Sequence, residues 1–156
     1  MKKHLFLISI ATNFLLYGDF IRNDALEVVN DTNTTLMWQD NSEAKTVMKP
    51  WVTQANYDAG NYYDTSGDTA ATYCSNLVMA GYSDWYLPTI NELRTLLTPA
   101  RQSNGYYIST DFKNYNDWYW SSSSDSYNSA YGWVVIFYNG TPTTTAIRPL
   151  QTMYVA

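Results

Sequence analysis

Between positions 118 and 139 the chain sets aromatic rings with polar tips among short hydroxyl and amide side chains. Trp118, Tyr119, Tyr127, Tyr131 and Tyr138 stand with Ser122, Ser124, Asn128 and Asn139. Rings of this kind give contact area at low conformational cost, and the hydroxyls and amides add directional hydrogen bonds, which is the chemistry of recognition. The competing reading is that the same rings cover a core from outside. A second group, Asp111, Asn114, Asn116 and Asp117, offers hard oxygens within seven positions, the ligand type calcium favours. Its alternation is loose and no bidentate Glu follows, so a solvated turn fits it better than an EF-hand loop. No other cofactor is indicated.

Catalytic chemistry is poorly provided for. The sole histidine is His4, in the N-terminal leader, so the mature chain lacks the commonest general base and transition-metal ligand. Cys74 is the sole cysteine, which excludes a disulfide within the chain and a cysteine-built zinc cage. Ser121 to Ser124 have no base to activate them, and Asp84 and Glu92 have no supporting His, Lys or Cys. The expectation is a protein that is not an enzyme.

The elements that must carry these residues are legible in part. Leu26–Val29 and Leu36–Trp38, separated by the turn formers from Asn30 to Thr35, read as a hairpin. Residues 42–67 read as a long irregular loop around Trp51. Ala70, Tyr73, Cys74 and Leu77 form a helical stripe, with Asp68 as its N-cap and Gly81 past its end. Thr89 and Glu92 have capping-box spacing, and Ile90, Leu93, Leu96 and Leu97 give a buried face to a second helix ending near Pro99. Gly132 to Asn139 reads as a strand entering an Asn139-Gly140 turn, with Thr143–Ile147 returning and Met153–Ala156 as a last strand. Trp38, Trp85, Trp120 and Trp133 sit beside apolar neighbours and are assigned to the core, with ligand stacking as the alternative. Strands at both ends with two short helices between them predict an α+β fold.

Length and composition agree. The 156 residues suit one domain, and 46% hydrophobic with 15% charged residues excludes a disordered, highly charged polymer. Lys2 and Lys3 before the apolar run from Leu5 to Leu16 predict a signal peptide over residues 1–18 and a domain over 19–156. The apolar run is too short to span a bilayer, and the mature chain has no transmembrane span. Loss of the leader takes the net charge from −5 to about −7, which repels nucleic acid; a sulfated glycan would need a local patch around Arg94, Arg101 or Arg148. Asn30, Asn33 and Asn139 match the N-glycosylation sequon, which matters only in a eukaryotic source.

Several blocks together resemble one family. Leu36-Met37-Trp38-Gln39-Asp40, Tyr73 to Leu77, Gly81 to Leu93, Tyr119 to Ser122 and Gly132 to Val135 occur in an order similar to that of the Lcl C-terminal domain family, named for a bacterial collagen-like adhesin. The resemblance spans Leu36 to Tyr154. It implies a C-type-lectin-like single domain of bacterial or phage origin, with antiparallel strands, two short helices and long loops. It also implies secreted or cell-surface placement, a glycan or protein partner on another cell surface, and a homo-oligomer, in particular a homotrimer.

The family also resembles formylglycine-generating enzymes, which need a copper-binding cysteine pair that one Cys cannot supply, and the variable proteins of diversity-generating retroelements. Residues 115–154 are rich in the Asn, Tyr, Ser, Thr and Asp typical of such variable segments. Two departures stand out. Tyr86 occupies a position where the family usually has Arg. The family tends to end in a Val-Arg-Cys-Val-Arg-like strand, whereas this sequence ends Tyr154-Val155-Ala156, so that a cysteine just beyond would be the partner the resemblance implies for Cys74. A structural subunit of a surface assembly is the alternative function.

Overall fold

A computed structural model describes residues 19–147 and 152–154, so the leader expected over residues 1–18 and the side chain of Arg148 lie outside the described residues. Three strands, β1 (Phe20–Asn23), β2 (Val28–Asp31) and β3 (Met37–Gln39), form an antiparallel meander. A 3-10 turn at Ser42–Lys45 leads to β4 (Met48–Pro50) and the helices α1 (Gln54–Asp58), α2 (Ala70–Asn76) and α3 (Ile90–Arg94). The chain then returns as β5 (Trp118–Ser124), β6 (Tyr131–Ile136), β7 (Thr141–Ala146) and β8 (Thr152–Tyr154). These complete a second sheet of order β4-β8-β5-β6-β7, antiparallel except between β5 and β8. The architecture is α+β, with antiparallel strands, short helices and long loops, as expected.

Details differ from the expectation where tertiary contacts override local pattern. Residues 42–67, read as irregular, contain β4 and α1. Pro50 is tolerated because β4 lies at the sheet edge, where its missing N–H leaves no ladder bond unmade. The N-cap of α2 is Thr69 rather than Asp68: the Thr69 hydroxyl accepts from the Thr72 N–H, and the Thr72 hydroxyl accepts in return from the Thr69 N–H. Asp68 instead binds Lys49 at 2.5 Å. Helix α3 has the expected Thr89–Glu92 capping box but ends at Arg94, well before Pro99. Strand β6 stops at Ile136, and the residues from Phe137 to Gly140 form the turn. Gly140, at φ 71°, donates to the Ile136 carbonyl at 2.9 Å, and a Cβ there would lie 2.7 Å from the Tyr107 ring.

The run Trp118-Tyr119-Trp120 and its partner Trp133-Val134-Val135-Ile136 are apolar on successive residues because both faces of the central pair are covered. On one face Trp120 and Val134 pack with Trp51, Val52, Ala70, Cys74, Leu87 and Ile147. On the other, Tyr119, Val135 and Phe137 pack with Val29, Trp38, Leu93, Leu96, Ile108 and Phe112. The indole of Trp120 meets that of Trp51 edge to face at 5.4 Å and donates to the Lys49 carbonyl at 3.1 Å. Gly132 is required beside them: a Cβ would come within 3.0–3.2 Å of Ile147, Trp51 and Trp120.

Trp38 and Trp120 are core residues as expected. Trp85 and Trp133 are only half-buried, and Trp51, assigned to a loop, is in the core.

Candidate functional site

The sequence-contiguous aromatic segment does not form one surface. In the β5–β6 ladder Trp118 is opposite Ile136, whereas Ser124 is opposite Gly132. Four residues of β6 separate these pairs, about 13 Å at the rise of a strand. Trp118, Tyr138 and Asn139 therefore lie at one end of the sheet, and Ser124, Tyr127, Asn128 and Tyr131 at the other.

At the first end Tyr138 is 53% exposed and Trp118 36%. Arg101 stacks its guanidinium 4.6 Å from the Tyr138 ring centroid and donates to the Tyr138 carbonyl at 2.8 Å. Arg101 is thus at the hairpin tip, while Arg94, at the end of α3, is exposed. Tyr119 is a correction. It is 3% exposed, its hydroxyl donates to the Ala44 carbonyl at 2.9 Å and accepts from the Asn116 N–H at 2.8 Å, and its ring packs edge to face on Phe137. Successive strand residues face opposite ways, so its neighbour Trp118 reaches solvent while Tyr119 does not.

At the second end the connection between β5 and β6 is held by its own bonds. Asp125 accepts from the Tyr127 N–H at 2.7 Å, and the carbonyl and side chain of Asn128 accept from the N–H groups of Tyr131 and Ala130. Tyr127 is 99% exposed on this ordered turn. Ser122 and Ser124, with Thr65 and the exposed Tyr63, line an adjoining cavity of about 160 Å³ over Trp51 and Leu87.

The serine run belongs to β5 itself, as a bulge between the Trp120 and Ser124 pairs. The Ser121 hydroxyl donates to the Trp133 carbonyl, the Ser123 hydroxyl accepts from the Ile90 N–H, and the Ser122 N–H binds the Pro88 carbonyl at 2.7 Å. Ser121 and Ser123 thus hold structure together, and Ser122 and Ser124 remain at the rim.

The side chains of the oxygen-rich stretch, the weak calcium candidates, are bonded within the protein. The Asn114 side chain donates to the Asp40 carbonyl, that of Asn116 to the Lys45 carbonyl, Asp117 accepts from the Tyr138 N–H, and Asp111 accepts from the Ser109 hydroxyl. Each of these groups is bonded to a different partner. No group of three or more His, Cys, Asp or Glu among the described residues is placed to hold a metal ion. The organising residue is Asp40, which is fully buried, ion-paired with Arg22, and accepts from the N–H groups of Lys113 and Asn114.

A larger cavity, about 390 Å³, lies between the β2–β3 hairpin and the segment 82–88. Asn30, Thr35 and Met37 line it from the hairpin; Tyr82, Asp84 and Trp85 do so from the segment opposite. Unusual backbone shapes both walls. Thr35 has φ 62°, which a β-branched residue rarely adopts, and Ala80 and Gly81 have φ 55° and 84° in a tight turn closed by the reciprocal Met79–Tyr82 bonds. Such conformations persist where surrounding structure imposes them and cluster at functional sites.

The profile of the Lcl C-terminal domain family matches residues 27–155. The chain belongs to this family. Membership makes it a surface-associated, adhesin-related domain. No curated protein and no solved structure matches the chain. No helix among the described residues is long and apolar enough to cross a membrane.

In this Lcl C-terminal domain, Tyr86 lines the larger cavity, and its hydroxyl donates to Glu92 Oε1 at 2.9 Å. Burial, then the Glu92 carboxylate, pushes the Tyr86 phenol up, so it stays protonated and neutral. The sequence assigns Trp38 and Trp85 to the core with ligand stacking as the alternative, and singles out Asp84 and Tyr86 separately, but nothing in it joins these residues into one cavity.

Proposed function

We propose that this Lcl C-terminal domain is an exported, non-catalytic recognition module on a C-type-lectin-like scaffold. It binds a glycan or protein on another cell surface through the end of the sheet that carries Ser122, Ser124, Tyr127, Asn128 and Tyr131, with Tyr63 beside them. The observation that carries the reading is Tyr127, a ring held 99% exposed on a turn ordered by its own hydrogen bonds. An ordered turn loses little entropy when it meets a ligand, and an aromatic ring gains from losing water. Five of the nine residues with recognition chemistry lie at this end. Trp118, Tyr138 and Asn139 form a separate surface, where Arg101 is already engaged with Tyr138.

A glycan array probed with the protein, with and without calcium and at low and high salt, tests the reading. The expected result is calcium-independent binding that survives salt, because no cation lines the adjoining cavity. Binding only to sulfated glycans, lost at high salt, would instead place the contact at a basic patch such as Arg94 or Arg101. Silence on every glycan and no attachment to any cell surface would contradict a recognition function.

A further inference from the structure

The larger cavity differs in chemistry from the exposed turn. Four aromatic residues line it, Trp38, Tyr82, Trp85 and Tyr86, with the thioether of Met37 and the carboxylate of Asp84, and no Lys, Arg or His is among its lining residues. Electron-rich ring faces attract a cation within about 6 Å, Trp most strongly. A carboxylate at the same mouth adds Coulombic attraction, and the acidic net charge of −5 brings cations toward the domain.

Two hydrogen bonds reinforce this. The Tyr86 hydroxyl donates to the Glu92 carboxylate, which enriches its ring in electron density, and the Trp85 indole N–H donates to the Met79 carbonyl at 3.3 Å, away from any ligand.

We infer that the cavity between the β2–β3 hairpin and residues 82–88 binds an alkylated ammonium group. The ammonium lies against Tyr82, Trp85 and Tyr86, with Asp84 as its counter-ion. A volume of about 390 Å³ is within the size of small-ligand sites and exceeds what the ammonium alone would fill. The site is independent of the exposed turn at Tyr127.

The test is isothermal titration of the full chain with choline, with ethanolamine as the primary-amine arm. The third ligand is 3,3-dimethylbutan-1-ol, which has the shape of choline without its charge. Choline should bind saturably, and the neutral isostere about tenfold or more weaker. Tyr82→Ala should weaken choline binding about tenfold at an unchanged melting temperature, since Tyr82 is 51% exposed. Tyr86→Arg should abolish it by placing a cation in the wall. Tyr127→Ser should leave it intact, so that loss of cell-surface binding and loss of choline binding are read separately.

No saturable choline binding, equal affinity for the neutral isostere, or binding unchanged in Tyr86→Arg would each overturn the inference. So would a neutral saccharide that binds here in place of choline.

Discussion

The Tyr86 hydroxyl donates to Glu92 Oε1 at 2.9 Å, while Oε2 of the same carboxylate accepts from the N–H and the hydroxyl of Thr89, each at 2.8 Å. One side chain thus caps α3 and steadies a cavity wall. Glu92→Ala removes both functions and should cost about 1–2 kcal/mol in urea unfolding.

The same residue gives a pH dependence with a definite sign. Burial raises the Glu92 carboxyl, but the bonds from Thr89 and Tyr86 outweigh it and hold the group below its ordinary 4.5. A folded value below the unfolded one means a stabilisation present above the ordinary value and lost as pH falls through the folded one. Urea midpoints measured from neutral pH down into the acid range should fall less steeply in Glu92→Gln than in the wild type.

Asp40 is expected to be the most sensitive polar position. Asp40→Ala leaves Arg22 and the Lys113 and Asn114 amides without their acceptor in a buried setting, a loss of about 3–5 kcal/mol. Asp40→Asn, which keeps an oxygen acceptor, should lose less. Equilibrium unfolding of the two variants measures the difference.

Calcium should be without effect on stability. Asn114, Asn116 and Asp117 bind backbone groups of Asp40, just past β3, of the 3-10 turn and of the β6–β7 turn, three separate partners. The melting temperature should be the same in millimolar calcium and in chelator. A rise of several degrees in calcium would mean these residues rearrange to coordinate it.

Cys74 lies in the core with 1% exposure, and burial pushes its thiol up to about 12. The thiolate is the reactive form, so a thiol reagent at neutral pH should label the folded chain far more slowly than the urea-unfolded one. Labelling rates that were equal in the two states would place the thiol at the surface.

What was legible in the sequence was what depends on near neighbours. The Thr89–Glu92 box, the Val29–Trp38 hairpin and the α2 stripe each span a few residues, and their signals are capping chemistry and periodicity. Strand alternation would have separated Tyr119 from Trp118, but an apolar run buried on both faces hides it. That the segment 118–139 contributes to opposite ends of a sheet follows only from the β5–β6 register. Asp40 meets Lys113 and Asn114 across more than seventy positions, and the larger cavity joins residues 30–38 to residues 82–88. No local pattern encodes contacts at that separation.

The central claim is that recognition occurs at the end of the sheet carrying Tyr127. The measurement that tests it most directly compares cell-surface or array binding of Tyr127→Ser with that of the Trp118→Ala, Tyr138→Ala double variant, each checked for an unchanged melting temperature. The account expects Tyr127→Ser to lose binding about tenfold or more at wild-type stability, and the double variant to retain it. Retention by Tyr127→Ser together with loss in the double variant would place the ligand at the opposite end and contradict the account.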